Sequence, residues 1–248
     1  MTGSPVSSLE SAGAFGRSKK HPTLSLIIPC GPQEIELPRL IRSDRPLSAR
    51  WERLLAVGPD QHFTLPFGWN TLRSDFGRGR QLNHAAEKAS GDWIWFIHAD
   101  SLPDKRAIQG VAEFIDHPPQ EKQGDRKNRR LGYCKLSFDP DGPSLTRLNG
   151  IGANLRSRWL QLPYGDQGMC IRKRDFNALG GFREDLQRGE DLDFVVRAKT
   201  AGMLIQCLGG CMATSARRYR QNGWLKTTLG HQVAALRLIR NARRSASS

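Results

Sequence analysis

The chain has 248 residues, 38% hydrophobic and 25% charged, enough to bury the core of one large α/β domain or two small ones. Its formal net charge is +14, and the excess is uneven: Asp193 is the last acidic residue, and ten Lys or Arg follow it. That balance suits an anionic partner (a nucleotide diphosphate, an acidic membrane surface or nucleic acid) or a merely solvated basic face. No segment reaches the ~18 consecutive apolar residues of a membrane-spanning helix. Residues 1–23, rich in Ser, Gly and Lys, lack the apolar core of a secretory signal and read as a disordered leader. Cys30, Cys134, Cys170, Cys207 and Cys211 have irregular spacing, which points to core thiols in a reducing, cytoplasmic compartment.

In chain order, residues 24–28 read as a first strand ended by Pro29. Residues 38–55 read as a helical region interrupted by Pro46, and 54–57 as a second strand stopped by Gly58-Pro59. Residues 63–65 read as a short strand, Gly77-Arg78-Gly79-Arg80 as a loop, and 81–89 as a helix. The apolar run 93–97 reads as a strand buried on both faces, and 104–115 as a helix with Asp104 near its start. Residues 117–130, polar and proline-led, read as a mobile loop. After it come a strand with alternating faces over 131–138, a helix over 144–160 and a strand over 167–171. A short helix over 174–179 closes on Gly180-Gly181. A helix over 190–201, a strand over 204–208 and an amphipathic helix over 224–240 follow, the last with Leu225, Leu229, Val233 and Leu236 on one face. Residues 241–248 are a basic tail. The pattern predicts a single α/β domain over 24–240, with a nucleotide-binding half at 24–115 and an acceptor half at 131–222.

Five segments carry candidate chemistry. His98-Ala99-Asp100 follows the buried strand. Ligands two residues apart at a strand end share one face, and a carboxylate there suits Mg²⁺ or Mn²⁺ bridging substrate phosphates; Asp100 could equally cap the next helix. Glu190, Asp191 and Asp193 open a helix, either as complements to its dipole or as the seat of a general base. Arg78, Arg80 and Asn83 lie in a glycine-flanked loop suited to phosphate or ribose. Asp166 and Gln167 sit in a glycine-bounded turn that reverses the chain or presents them to a sugar. Residues 214–220 set arginines beside hydroxyls, as a phosphate clamp or a solvated turn.

As a set, GRGRQLN, GDWIWFIHADS, LPYGDQGMCIRKRDFNALGGF, GEDLDFVVRA and TSARRYRQNGWLKTTL resemble the family 2 glycosyltransferases. Within them, the chain is most similar to the bacterial subgroup whose metal motif reads His-Ala-Asp. The resemblance covers about two thirds of the chain and implies a GT-A-like (Rossmann-like) mixed sheet flanked by helices. It implies transfer of a hexose-type sugar from a nucleotide-sugar donor to a hydroxyl acceptor, by an inverting route, with Mn²⁺ or Mg²⁺ as cofactor. It places Asp100 at the metal-binding aspartate, His98 at the first acid of that motif, and Asp191 at the base with Glu190 beside it. Arg78, Arg80 and Asn83 fall in the nucleotide-contacting segment, and Asp166 and Gln167 where a sugar is lined. Two departures stand out. The loop after the second strand reads Ala56-Val57-Gly58-Pro59-Asp60, where only Asp60 could touch the nucleoside. The first strand ends in Pro29-Cys30-Gly31-Pro32, where an Asn-Glu pair is more typical.

Three other readings compete. A nucleotidyltransferase on a similar sheet would use an acid-held metal, but it has no need of a base for a hydroxyl acceptor. A family member that binds without turnover would fit the altered nucleotide loop. A nucleic-acid-binding protein should interleave basic and aromatic residues on one surface; the C-terminal region has Tyr219 and Trp224 among arginines but no recognised binding motif, and no nucleic-acid partner is expected. An amphipathic basic C-terminal helix would also allow peripheral contact with the inner face of a membrane, which a lipid-linked acceptor would favour.

Overall fold

The architecture is that of a computed structural model, which describes residues 23–34, 37–43, 45–117, 129–217 and 219. The readings of a leader at 1–22, the interior of the 117–130 loop, the helix over 224–240 and the basic tail lie outside the described residues.

One eight-stranded mixed sheet organises the described residues, in the order β3-β2-β1-β4-β7-β6-β8-β5. Its first half is parallel. β1 (Leu24–Pro29) lies between β2 (Trp51–Val57) and β4 (Trp93–Phe96), and β2 pairs with β3 (Asn70–Arg73). Every residue of β1 and β4 is buried, as a strand with helices over both faces must be. The alternation of β4 splits its side chains: Trp93 and Trp95 pack on one side of the sheet, Ile94 and Phe96 on the other. The second side is covered by α1 (Arg78–Lys88) and α5 (Glu190–Thr200), the first by α2 (Lys105–Asp116).

β7 (Met169–Arg172) runs antiparallel to β4 and to β6 (Arg130–Phe138), and β6 runs parallel to β8 (Leu204–Thr214). β5 (Ser101–Pro103) closes the far edge against the end of β8. α3 (Thr146–Leu160) and α4 (Lys173–Ala178) flank β6 and β7. No helix among the described residues is long and apolar enough to cross a membrane.

Several expected elements are corrected. The described residues of 38–55 hold no helix. Residues 38–43 close short turns, with Ile41 N–H donating to the Pro38 carbonyl (2.9 Å). Pro46 offers no donor and disfavours helix before it, and from Trp51 the chain pairs with β1. Residues 63–65 are not a strand: Phe63 and Leu65 pack half-buried against the core, and the pairing falls to β3. α1 starts at Arg78, inside the supposed loop, with Gln81 N–H reaching the Gly77 carbonyl at 2.8 Å. β6 does not simply alternate, because from Leu131 to Cys134 it is buried on both faces between β7 and β8. β8 continues past residue 208 because Gly209 and Gly210, at φ 79° and 60°, form an irregularity that the pairing with β6 absorbs.

Candidate active site

The site forms where the parallel strands end, which is where open α/β sheets hold their ligands. Four pieces of chain meet there: the turn after β4, the start of α1, the start of α5, and the tight 3-10 turn Gly165–Gln167 before β7.

The turn after β4 is short. Ser101 N–H donates to the His98 carbonyl at 3.1 Å. This ends the strand alternation, so His98 and Asp100 diverge rather than share a face. His98 faces the 3-10 turn and Asp191: a Cβ placed on Gly165 would stand 2.5 Å from His98 Nε2 and 2.8 Å from Asp191 Oδ2. Asp100 instead faces the end of β8, where the Thr214 hydroxyl donates to its Oδ1 at 3.4 Å. Thr214 in turn stands 3.3 Å from Ser101 Oγ.

The three acids that open α5 part company. Asp193 is buried and paired to Arg197 one turn on, at 2.8 Å. Glu190 is buried and paired with Arg78. Asp191 points at the 3-10 turn, accepting Gly165 N–H at 2.7 Å and Leu192 N–H at 2.8 Å, with Arg78 Nη2 at 3.7 Å from Oδ2. Burial works to raise the Asp191 pKa, but Arg78, His98 and the two N–H donors outweigh it and hold the carboxyl below its ordinary range. Burial and the Asp191 charge push Glu190 up against the pull of Arg78. Burial pulls Arg78 down, but Asp191 and Glu190 outweigh it and leave the guanidinium above its ordinary value.

Asp166 completes the group. Its Oδ1 is buried without a hydrogen-bond partner. Burial, then the charge of Asp191, with Asp100 adding to both, raises its pKa to about 7 against the pull of Arg156 and Arg78. Arg156 was not singled out from sequence. It lies over the Tyr164 ring at 3.5 Å and donates to the Leu162 carbonyl at 2.9 Å, bracing the loop that carries Asp166. Its position inside an unremarkable helix gave no signal. Thr214, next to Asp100, lay within the hydroxyl-arginine segment already noted; Arg218 and Arg220 of that segment lie outside the described residues.

The remaining candidates sit apart from this group. Gln167 is fully buried; its Oε1 accepts the Ser157 hydroxyl at 2.7 Å and its Nε2 donates to the Cys134 carbonyl at 3.1 Å. Asn83 grips the 182–184 segment, donating to the Phe182 carbonyl at 2.8 Å and accepting Phe182 N–H at 2.8 Å. Arg80 is exposed, 3.2 Å from Asp75 and 3.4 Å from Glu184. It lines a polar cleft of about 410 Å³ with Arg73, Asn83 and His84. Asp60 is exposed in the turn after β2. Gln61 beside it ties that turn to the end of β1, donating to the Gly31 carbonyl at 2.8 Å.

Residues 64–129 match the family model described as glycosyl transferase family 2. Solved structures with the same architecture include S. aureus TarS 1-349, at 16% identity and a TM-score of 0.53 over 78% of this chain and 60% of that one. The same protein in complex with UDP gives 16% identity and 0.56 over 89% and 65%. The mannosyltransferase PcManGT from Pyrobaculum calidifontis, in complex with GDP-Man and Mn²⁺, gives 15% and 0.51 over 78% and 57%. The chain thus spans about three fifths of the length of the structures it matches. No curated protein matches it in sequence. The mixed sheet and its flanking helices are those of the GT-A glycosyltransferase fold.

Proposed function

We propose that this chain is a metal-dependent glycosyltransferase that moves a sugar from a nucleoside diphosphate donor to a hydroxyl acceptor with inversion. The observation that carries the reading is the convergence of Asp191, Asp166, His98 and Arg78 around Gly165, with Asp100 beside them, at the ends of the parallel strands. TarS in complex with UDP-GlcNAc and PcManGT with GDP-Man and Mn²⁺ share the fold and support a nucleotide-sugar donor.

In this reading Asp191 is the base. The acceptor oxygen forms its bond to the anomeric carbon as the bond to the diphosphate breaks, and the hydroxyl proton passes to Asp191. Its depressed pKa keeps it ionised at neutral pH. Arg78 and the Gly165 amide fix its direction, so Glu190 serves by holding Arg78 rather than by touching substrate. Asp60, Arg80 and Asn83 remain the proposed nucleotide contacts, and Gln167 a support for the sugar-facing turn.

The residues present suit a divalent cation of the kind that binds through one or two carboxylates and keeps substrate phosphates and waters. Asp100 offers a carboxylate with one long hydroxyl contact, and Asp166 an unpartnered oxygen nearby. No group of three or more metal-ligating side chains occurs among the described residues, so substrate phosphate and water would supply the other ligands. Asp100 would hold the ion, which would neutralise the charge growing on the leaving diphosphate; His98, expected as its second ligand, is turned toward Gly165 and Asp191 instead. Five free cysteines, three of them buried, fit a reducing, cytoplasmic compartment.

The test is calorimetric titration with UDP and GDP, with and without Mn²⁺. Wild-type protein should bind one of them in a metal-dependent way, and Asp100→Ala should lose that dependence with its melting temperature kept. Equal affinity in Asp100→Ala would overturn the metal assignment.

A further inference from the structure

We infer that α3 carries a docking surface for an anionic lipid bilayer. The helix packs inside out. The face it turns to the sheet is built of Thr146, Gly150, Ala153 and Ser157, all buried. Leu148, Ile151, Leu155 and Trp159 are exposed, Trp159 by 72%. These recur at steps of three and four residues and form one stripe along the helix, which exposed Leu145 extends at its start. A helix on a soluble domain ordinarily buries such a stripe, and contiguous exposed apolar surface marks an interaction site. Beside the stripe lies a groove of about 500 Å³, lined by Tyr133, Ile151 and Leu155 together with Lys135 and Arg158.

Charge decides what covers this face. α3 holds Arg147, Arg156 and Arg158 and no carboxylate. Arg156 is turned inward onto Tyr164, which leaves Arg147 and Arg158, with Lys135 on the neighbouring strand, at the exposed face. A second copy of the chain, related by two-fold symmetry, would set these cations against their own kind. The last segment of the chain, 220–248, carries six Lys or Arg and no acid, so it meets the same repulsion. An anionic bilayer satisfies both features: the leucines and isoleucine enter the acyl boundary, the cations meet lipid phosphates, and Trp159 sits at headgroup depth. The inference stands apart from the proposed reaction, because none of these side chains belongs to the Asp191 site.

The experiment floats the full chain with phosphatidylcholine vesicles, with and without phosphatidylglycerol. Binding should require the anionic lipid. The exposed double variant Ile151→Ser/Trp159→Ala should weaken it by about tenfold or more, with melting temperature and nucleotide binding unchanged. Lys135→Gln and Arg158→Gln should each weaken it by about fivefold, which is about 1 kcal/mol per charge. Tryptophan emission should shift to the blue on anionic vesicles and lose that shift in Trp159→Phe, a variant mild enough to fold in any case. Three results overturn the inference: no preference for anionic lipid, full binding by the double variant, or a dimer in light scattering that Ile151→Ser dissociates.

Discussion

Gly165 sets the spacing of the site. Its backbone N–H holds Asp191 at 2.7 Å, and the place where its side chain would be is already taken by His98 Nε2 and Asp191 Oδ2. A methyl group there must push one of them aside. Gly165→Ala is therefore expected to lower turnover by about 10²-fold, the cost of misplacing a reacting group by about 1 Å, while far-UV circular dichroism is unchanged. Asp191→Asn keeps the shape and removes the base; turnover should fall by about 10²–10⁴-fold with donor affinity kept, and an unchanged rate would return Asp191 to helix-dipole complementarity. Asp166 gives a pH signature in the metal-free protein. Its pKa is raised from the ordinary carboxylate range to about 7, so the folded state holds a proton through a window where the unfolded chain has lost it. Stability from this group is then present at low pH and falls as pH rises toward and through 7. Asp166→Asn should remove that slope and gain relative stability at pH 8, on the order of 1 kcal/mol or more, in urea midpoints compared at pH 5 and pH 8. An equal slope in the variant would show that Asp166 is ionised throughout.

The elements differ in how plainly the sequence announces them. The buried run 93–97 and the acidic helix start at residue 190 are local signals, and both elements lie where they were read. Local signals place the second strand at 54–57, yet it starts at Trp51 because Trp51, Glu52 and Arg53 pair with β1; the Glu and Arg give no local sign of that, so tertiary pairing overrides propensity. Gly209-Gly210 reads as a stop, yet β6 supplies a partner on both sides of it. The place of His98-Ala99-Asp100 after a buried strand was legible, but its geometry was not: the turn after β4 separates two side chains that an extended strand would have aligned. Polar side chains that brace backbone are the hardest to read. Gln81 is buried in α1, and its Nε2 donates to the Cys30 carbonyl at 2.7 Å and the Ala56 carbonyl at 3.2 Å, clasping the ends of β1 and β2. Because Ala56 O also accepts Cys30 N–H at 2.8 Å, Gln81→Leu strands chiefly the Cys30 carbonyl. Chemical denaturation should show a loss of about 1–3 kcal/mol; a neutral change would mean that α1 is held by packing alone.

At the scale of the whole molecule, the nucleotide half and the acceptor half expected from sequence share one sheet and are laced through each other. β5, which belongs to the first half, lies at the far edge against β8, and β7 of the second half is inserted beside β4. Neither half can complete its hydrogen bonding alone, since β4 would be left as an open, wholly buried edge. Both core layers also cross the division: Ile94 and Phe96 pack with Phe176 and Phe194, and Trp95 with Cys170 and Met212. The described domain should therefore unfold as one unit in urea. Tryptophan fluorescence, weighted toward Trp51, Trp93 and Trp95 in the first half, should trace the same transition as far-UV circular dichroism, which senses the entire chain. A nucleoside diphosphate with Mn²⁺ should shift that single transition as a whole, by about 2.7 kcal/mol at a hundredfold excess over its dissociation constant. Two separated transitions, with only the first moved by ligand, would instead show halves that fold independently and a site built from the first half alone. Such a result would contradict the geometry in which His98 and Asp191, one from each half, face the same turn.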